Sequence, residues 1–212
     1  MNILNFEEFI NESVWYRDEY GDEYFDPSKD GRYKYLLKKP INKLTKNEML
    51  YLYAIHFTKT SNGYYYDYSK YENFEDYVNS FLKDRTDFEL DDAFDFFSKL
   101  KFPLKVYRAL RDDETIENIS GKKSSLSWTI DLDIYKNDLS KFKNCTKIVE
   151  AEITPDMIQN EWTIVNYTLY SSKTRLNSKE NIDGYPENEI TLKPRFKNLK
   201  LMNLKYIDKN NI

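Results

Sequence analysis

The feature that most constrains the fold of this chain is a change in the spacing of its apolar residues at Pro103. Before Pro103, apolar side chains recur at intervals of three and four residues, which is the spacing of a helix with one buried face. After it, segments such as LKVYRAL and CTKIVEAEIT are rich in strand-forming residues and alternate apolar with polar positions. Because the two element types are segregated along the chain, the sequence predicts an α+β fold.

The helical half contains one well-marked element. Thr45 followed by Glu48 forms a capping box ahead of MLYLYAIHF, which predicts a helix over residues 45–59. Two further segments, NFEDYVNSFLKDR and FELDDAFDFFSKLK, have helical apolar spacing and helical length. Residues 13–43 are punctuated by glycine and proline, so we predict an irregular wrapping segment there.

The half that follows Pro103 is predicted to be mainly strands. The segment DLDIYKNDLSKF is predicted to be a helix between the second strand and the third. The strand candidates, in chain order, are LKVYRAL, SSLSWTI, CTKIVEAEIT, WTIVNYTLYSS, NEITLKP and LKLMNLKYI.

Composition limits the functions that the chain can have. The 212 residues suit one globular domain or a domain with an appendage, and 19 Tyr, 13 Phe and 3 Trp can supply its core. Cys145 is the one cysteine and His56 the one histidine, so an internal disulfide and a His/Cys zinc site are excluded. His56 lies among apolar neighbours at helical spacing, which favours a packed core histidine over a catalytic base.

Membrane and nucleic-acid partners are not expected. No apolar run approaches the ~20 residues that span a bilayer, and the chain does not begin with a secretory signal. The net charge is -4, and the aromatic cluster at residues 64–71 carries no run of basic residues, which argues against nucleic-acid binding. The few glycines are scattered, so neither a phosphate-binding loop nor a Rossmann fingerprint is present.

Arg108 is a charged residue within a predicted strand. In VYRAL it shares a strand face with Val106 and Leu110, which indicates that this face is buried. A charge in that position needs an anionic partner or a route to solvent. An ordinary salt bridge would satisfy this need.

Two further polar motifs lie on predicted strands. In SLSWT, Ser127 and Thr129 place two hydroxyls on one side of a strand and the indole on the other. In YPENEITLKP, Glu187 and Glu189 bracket Asn188, so an extended strand would project both carboxylates from one face, about 7 Å apart. Each motif alone is typical of a polar strand or a solvated sheet edge, but the order Arg, S-x-T, E-x-E suggests a joint function.

In this order the motifs resemble those of the Arg-Ser-Glu class of mono-ADP-ribosyltransferases, which includes clostridial C2-like and C3-like toxins, vertebrate ecto-enzymes and phage transferases. The resemblance covers roughly residues 104–195, and it extends to the succession of SWT, a helix, the strand IVEAEI and the turn PDMI. It implies an ADP-ribosyltransferase-like split β-sheet core over residues 103–212. The helical spacing described above predicts a mostly helical N-terminal region over residues 13–102 beside this core.

The resemblance also implies a cofactor and its contacts. NAD would be the co-substrate, with no metal required, and nicotinamide would be released. Arg108 would bind the NAD phosphates, and Ala109, Ser127 and Thr129 would complete the NAD-binding set. Arg111 is the rival for the phosphate role, although its acidic neighbours make it the weaker choice.

The same resemblance assigns the catalytic roles. Glu189 would stabilise the oxocarbenium-like cation that forms when the nicotinamide–ribose bond breaks, and Ser127 would orient Glu189 and the ribose. Glu187 would pair with an incoming guanidinium, which implies an arginine of a host protein as the acceptor. Tyr185 would lie in the substrate-contacting turn before the E-x-E motif.

Residues 1–12 form a predicted short amphipathic helix that resembles the capsid-targeting peptides of large tailed phages. Such peptides are removed by a prohead protease after an Ile/Leu-x-Glu sequence, which Ile10, Asn11 and Glu12 match. The resemblance implies the phage capsid scaffold and the prohead protease as partners, packaging in the virion, and action in the host bacterial cytoplasm. The alternative is a plain helix that caps the domain.

Two other functions remain open at this point. One is a non-catalytic internal or structural phage protein, or a binding module, that retains the architecture. The other is an NAD glycohydrolase or toxin whose acceptor is water or nucleic acid. Nicotinamide release separates the first from a transferase, and mapping of the acceptor separates the second.

Overall fold

The fold combines helices with an antiparallel sheet, although strands also occur before Pro103 and a helix occurs after it. The computed structural model describes residues 15–17, 23–25, 31–60, 76, 80, 90–111, 114, 115, 119, 126–136, 145, 147–170, 188–193 and 202–208. Within these residues, four helices accompany a five-stranded antiparallel sheet and a separate two-stranded antiparallel pair. The predicted α+β class is therefore confirmed.

The elements are numbered in chain order. The helices are α1 (Gly31–Leu36), α2 (Lys46–Thr60), α3 (Leu90–Ser98) and α4 (Asn160–Tyr170). The strands are β1 (Trp15–Arg17), β2 (Glu23–Phe25), β3 (Leu104–Ala109), β4 (Leu126–Thr129), β5 (Lys147–Ile153), β6 (Glu189–Leu192) and β7 (Met202–Asp208). Short 3-10 helices cover Ile41–Lys43, Leu132–Tyr135 and Pro155–Met157.

The main sheet has the strand order β6-β4-β3-β5-β7, and every neighbouring pair is antiparallel. Strand β3 lies at its centre and pairs along its whole length with β5, from Leu104 opposite Ile153 to Ala109 opposite Ile148. Five of the predicted strands, β3 to β7, are confirmed. The capping box is confirmed too, because the Thr45 N–H donates to Glu48 Oε2 at 2.8 Å and the Glu48 N–H to Thr45 Oγ1 at 3.3 Å.

The segment WTIVNYTLYSS was predicted to be a strand, and this prediction is wrong. Its β-branched and aromatic residues favour a strand locally, yet Asn160–Tyr170 is helix α4. The buried positions explain the outcome, since most of them recur at the i, i+3, i+4, i+7, i+8 spacing of one helix face. These are Asn160, Thr163, Ile164, Tyr167 and Thr168, and the further buried residues Glu161 and Val165 are four residues apart beside them.

Two other predictions are corrected in part, and two more fall wholly or mostly on residues outside those described. Residues 13–43 are not wholly irregular, because they contain β1, β2, α1 and the turn from Ile41. In the segment predicted as a helix from Asp131, the described residues form only the 3-10 helix Leu132–Tyr135, whose N-cap is the Asp131 side chain. The predicted helix at residues 1–12 and most of the segment at residues 73–85 lie outside the described residues.

One apolar core spans the change in pattern at Pro103. It joins helix residues such as Leu52 and Phe97 to strand residues such as Val106 and Trp128, all of them buried. A smaller cluster of Ile134, Tyr135 and Ile148 covers part of the opposite sheet face. The helices thus pack on the sheet face that carries Val106 and Trp128, with α4 at the β6 edge, where Thr163 bonds the Thr191 backbone. In the part of the chain described, no helix is long and apolar enough to cross a membrane.

A buried polar cluster joins the N-terminal helices to α4. Glu161, in the first turn of α4, accepts a hydrogen bond from the Tyr33 hydroxyl of α1 and lies 3.0 Å from His56 Nδ1 of α2. All three side chains are buried, so His56 is a packed core histidine as predicted. Burial, with the hydrogen bond to Glu161, raises the pKa of the Tyr33 hydroxyl and keeps it neutral.

Removal of the Glu161 carboxylate tests this cluster. The Glu161→Ala variant leaves Tyr33 and His56 without their shared acceptor, so we expect the free energy of unfolding to fall by about 2–4 kcal/mol. Asp95→Ala is the control, because Asp95 is exposed and 3.8 Å from Lys99, and its effect should stay within about 0.5 kcal/mol. Urea titration followed by circular dichroism measures both, and equal losses would contradict the assignment.

The capping box predicts a pH dependence. Burial alone raises the pKa of the Glu48 carboxyl, but Lys39 at 2.7 Å and Thr45 outweigh it and hold that pKa below the ordinary value of 4.5. A depressed pKa stabilises the fold above pH 4.5, and this contribution is lost as the pH falls below that value. The stability difference between wild type and Glu48→Gln should therefore shrink between about pH 7 and pH 3, as measured by urea titration at each pH.

Candidate functional site

The sheet brings the three sequence motifs onto neighbouring strands. Arg108 is on β3, the S-x-T motif is on β4, and Glu189 is the first residue of β6. Thr129 lies opposite Tyr107 on one side and opposite Glu189 on the other, so these three residues form a row across the sheet. Two strand spacings, about 10 Å, separate β3 from β6. Residues far apart in sequence are thus brought close together.

The motif side chains do not all leave the same face of the sheet. Ser127, Thr129 and Glu189 share one face by strand alternation and register. Arg108 follows Tyr107 on β3 and pairs with the buried Val149, so it starts towards the opposite face, that of the helices. Its Nη1 donates to the Ser127 carbonyl oxygen at 2.8 Å. Arg108 therefore contacts β4 through the backbone of Ser127 and not through its hydroxyl.

Glu114 is the anionic partner that Arg108 needs. Arg108 Nη2 lies 3.1 Å from Glu114 Oε1 and 3.4 Å from Oε2, and the two side chains are only 15% and 2% exposed. Glu114 also accepts a hydrogen bond from the Arg111 N–H at 3.2 Å, while its own N–H donates to the Arg111 carbonyl at 2.9 Å. Arg111 is exposed and contributes its backbone to this turn, whereas Arg108 carries the buried charge.

Sequence reasoning did not single out Glu114. Two signals pointed to it: a charged residue in a buried strand requires a counter-charge, and an acidic run follows Arg111 directly. From sequence alone, this acidic run argues only against Arg111 as the phosphate ligand. The structure shows that its last residue instead holds Arg108.

Two buried N–H groups on β3 and β4 have no acceptor among the residues described. They are Nε of Arg108 and Nε1 of Trp128, which pairs with Ile190 on β6, and neither has a hydrogen-bond partner within the described residues. Buried donors are nearly always satisfied in folded proteins. An oxygen-rich group bound beside Arg108 is one way to satisfy its Nε.

The Glu189 carboxylate is held from helix α4. Asn166 Nδ2 donates to Glu189 Oε1 at 2.6 Å and to Thr191 Oγ1 at 3.3 Å. In the register Ser127 lies opposite Thr191, and Thr129 lies opposite Glu189. Ser127 was predicted to orient Glu189, but within the described residues the side chain that donates to Glu189 is Asn166. Sequence reasoning missed Asn166 because it treated this segment as a strand.

The backbone at Asn188 is not in the extended conformation that the E-x-E prediction assumes. Asn188 has a φ of 45°, in the left-handed region that Asn tolerates better than most residues, and β6 begins only at Glu189. The alternation rule that placed the Glu187 and Glu189 carboxylates on one face requires an extended Asn188, so that argument is wrong here. Glu187 and Tyr185 themselves lie outside the described residues.

Tyr135 is a further polar group at the site. Its hydroxyl accepts from the Ala109 N–H at 3.2 Å and donates to the Tyr107 carbonyl at 3.3 Å, so the backbone of β3 fixes its position. Burial raises the pKa of Tyr135; the Ala109 N–H and the Arg108 charge oppose this, and the Glu189 charge adds to it.

These groups define what the site can do. A guanidinium fork suits phosphate, hydroxyls suit a sugar, and a half-buried carboxylate can stabilise a developing cation. No group of three or more His, Cys, Asp or Glu side chains that could hold a metal ion occurs in the described parts of the chain. Comparisons with protein-family models, with curated proteins and with solved structures find no match to this chain.

Removal of the Glu114 carboxylate should lower the free energy of unfolding, because the buried Arg108 charge then has no anionic partner in this turn. We expect Glu114→Ala to lower the free energy of unfolding by about 3 kcal/mol, because an unpaired buried charge remains. Glu114→Gln should cost less, since its amide oxygen still accepts a hydrogen bond. The control is Arg111→Ala, which keeps its backbone N–H contact and should change stability by about 0.5 kcal/mol or less. Thermal and urea denaturation measure the series, and equal losses in Glu114→Ala and Arg111→Ala would contradict this pairing.

Proposed function

We propose that the chain is an NAD-dependent mono-ADP-ribosyltransferase of the Arg-Ser-Glu class, with its site on an ADP-ribosyltransferase-like core within residues 103–212. The observation that supports this best is the adjacency of β3, β4 and β6. That adjacency places the strands of Arg108, the S-x-T motif and Glu189 within two strand spacings, with the hydroxyls and Glu189 on one face and the Arg108 side chain starting towards the other. In sequence the same residues are spread over three separate motifs, so their meeting in one sheet is additional support for the joint interpretation.

The proposed reaction breaks the bond between the nicotinamide nitrogen and the ribose carbon of NAD. The bonding electron pair leaves with nicotinamide, and positive charge develops on the ribose as in glycoside hydrolysis. A carboxylate placed beside that carbon stabilises the charge only as it forms, which accelerates the step. Glu189 is the proposed carboxylate, because it is half-buried and already fixed at one oxygen by Asn166. The acceptor nitrogen then bonds to the ribose carbon and loses a proton.

Arg108 is proposed to bind the NAD diphosphate. Guanidinium groups form forked hydrogen bonds to phosphate, and Nε of Arg108 has no hydrogen-bond partner among the described residues. Glu114 and the Ser127 carbonyl occupy its other nitrogens and hold the group in place. In this proposal Thr129, Ser127 and Ala109 form the wall along which the nucleotide lies.

The acceptor and the biological setting rest on sequence. Glu187, two residues before Glu189, and Tyr185 support a protein arginine as the acceptor. The sequence of residues 1–12 supports a phage protein that is packaged in the virion, trimmed by the prohead protease and active in the host bacterial cytoplasm. In that setting the substrate is a host protein.

The decisive variant is Glu189→Gln, which keeps the shape of the side chain and removes its charge. Purified protein is incubated with labelled NAD and a bacterial lysate, and both nicotinamide release and protein labelling are measured. We expect Glu189→Gln to lower both by about 100-fold or more. Glu152→Gln is the matched control, because Glu152 lies on β5 of the same sheet opposite Lys105, and it should retain wild-type activity.

The outcomes separate the three candidate functions. Label on discrete proteins that is lost in Glu189→Gln supports a transferase, and its sensitivity to Glu187→Ala tests the arginine acceptor. Nicotinamide release without label favours an NAD glycohydrolase. A folded wild-type protein that neither binds NAD nor releases nicotinamide would overturn the proposal in favour of a structural or binding protein.

A further inference from the structure

One side of helix α4 connects three parts of the molecule. Asn160, Thr163 and Asn166 recur every three residues, which places them along one side of the helix. Asn160 Nδ2 donates to the carbonyls of Leu36 at 2.8 Å and Lys39 at 2.7 Å, in and just after α1. The next two polar side chains of this row contact β6 instead. The row thus runs from the N-terminal helices to the candidate site.

The contact at the far end of this row is strong and directional. Asn166 Nδ2 lies 2.6 Å from Glu189 Oε1, a short distance for an amide donor and an ionised acceptor. The same nitrogen is 3.3 Å from Thr191 Oγ1, so two acceptors fix which end of the Asn166 amide faces the strand. Glu189 Oε2 has no hydrogen-bond partner within the described residues.

From this geometry we infer that Asn166 is a positioning residue that holds the Glu189 carboxylate in one orientation. This inference rests on the proposed function and adds a residue to its site. A glutamate side chain has three rotatable bonds, and a carboxylate that must be placed during the reaction loses part of its effect. By fixing Oε1, Asn166 leaves Oε2 to face the ribose on which the charge develops.

The helical N-terminal half supports this orientation through α4. Thr163 Oγ1 accepts the Thr191 N–H at 2.9 Å and donates to the Thr191 carbonyl at 3.3 Å, so α4 is fastened to the backbone of β6. At its start α4 is held by Asn160 and by Glu161, which contacts His56. Helix α4 therefore cannot shift along β6 without breaking buried polar contacts. The N-terminal helices belong to the support of the site.

Kinetics of nicotinamide release test the role of Asn166. Asn166→Leu keeps much of the side-chain volume without a donor, and Asn166→Asp keeps the shape but places a second carboxylate beside Glu189. We expect kcat to fall by roughly 10- to 100-fold in both variants, with KM for NAD changed by less than about 3-fold. Asn42→Leu is the matched control: it removes an Asn side chain that donates to Leu100 at 3.1 Å, away from the site, and should leave kcat unchanged.

A purely structural role for Asn166 would give a different pattern. The variants would then lose thermal stability while the folded fraction kept the wild-type kcat, and that result would overturn the inference. A rise in KM with kcat unchanged would overturn it as well, because it would show a contact to NAD and not to Glu189. Asn166→Asp serves as the second variant where Asn166→Leu fails to fold.

A second measurement does not depend on activity. In the 15N-labelled protein, the side-chain amide signals of Asn166 should shift when Glu189→Gln replaces the charged acceptor, and those of Asn42 should not. Unchanged Asn166 signals would overturn the inference, whatever the activity. If these signals respond but the wild-type protein releases no nicotinamide, the proposed function fails while the contact stands.

Discussion

The rest of the site depends on the hydrogen bonds that satisfy the outward backbone N–H and C=O groups of the edge strand β6. An edge strand has N–H and C=O groups that point away from its neighbour, and these need partners. Here the segment before α4 and α4 itself provide them: the Gln159 N–H donates to the Thr191 carbonyl at 2.8 Å, and the Lys193 N–H to the Met157 carbonyl at 2.9 Å. The Thr163 hydroxyl completes the set. This attachment places α4 beside the carboxylate at the start of β6.

A second constraint is the charge of Arg108 within β3. Val106 and Leu110 are buried on the same strand face, so the Arg108 guanidinium is largely removed from water. Its positive charge therefore needs an anionic partner. The turn between Arg111 and Glu114 supplies a nearly buried carboxylate for this purpose. Because that turn follows β3 directly, the strand and its counter-charge come from one short stretch of sequence. The compensation is therefore local, whereas the support of Glu189 comes from a distant helix.

This difference explains what could be predicted from sequence. Alternation identified β3 to β7, and the Thr45–Glu48 spacing identified the start of α2, because both signals are local. The strand prediction for α4 is wrong because its β-branched and aromatic residues favour a strand locally. The segment is helical because it packs against α2, α3 and β6. The left-handed backbone of Asn188 is likewise not indicated by local alternation, which assumes an extended residue at that position. The Asn166–Glu189 contact joins two segments whose packing no local pattern specifies.

The arrangement has a consequence for the two opposite charges of the site. Arg108 and Glu189 lie on strands about two strand spacings apart, and their side chains leave the sheet from opposite faces. Arg108 is held by Glu114 and the Ser127 carbonyl, and Glu189 is held by Asn166. Each charge therefore has its own partner, and the orientation of each is set separately. Within the proposed function, Glu189 and the S-x-T hydroxyls share one face, whereas the partners of Arg108 hold its guanidinium on the helix side of the sheet.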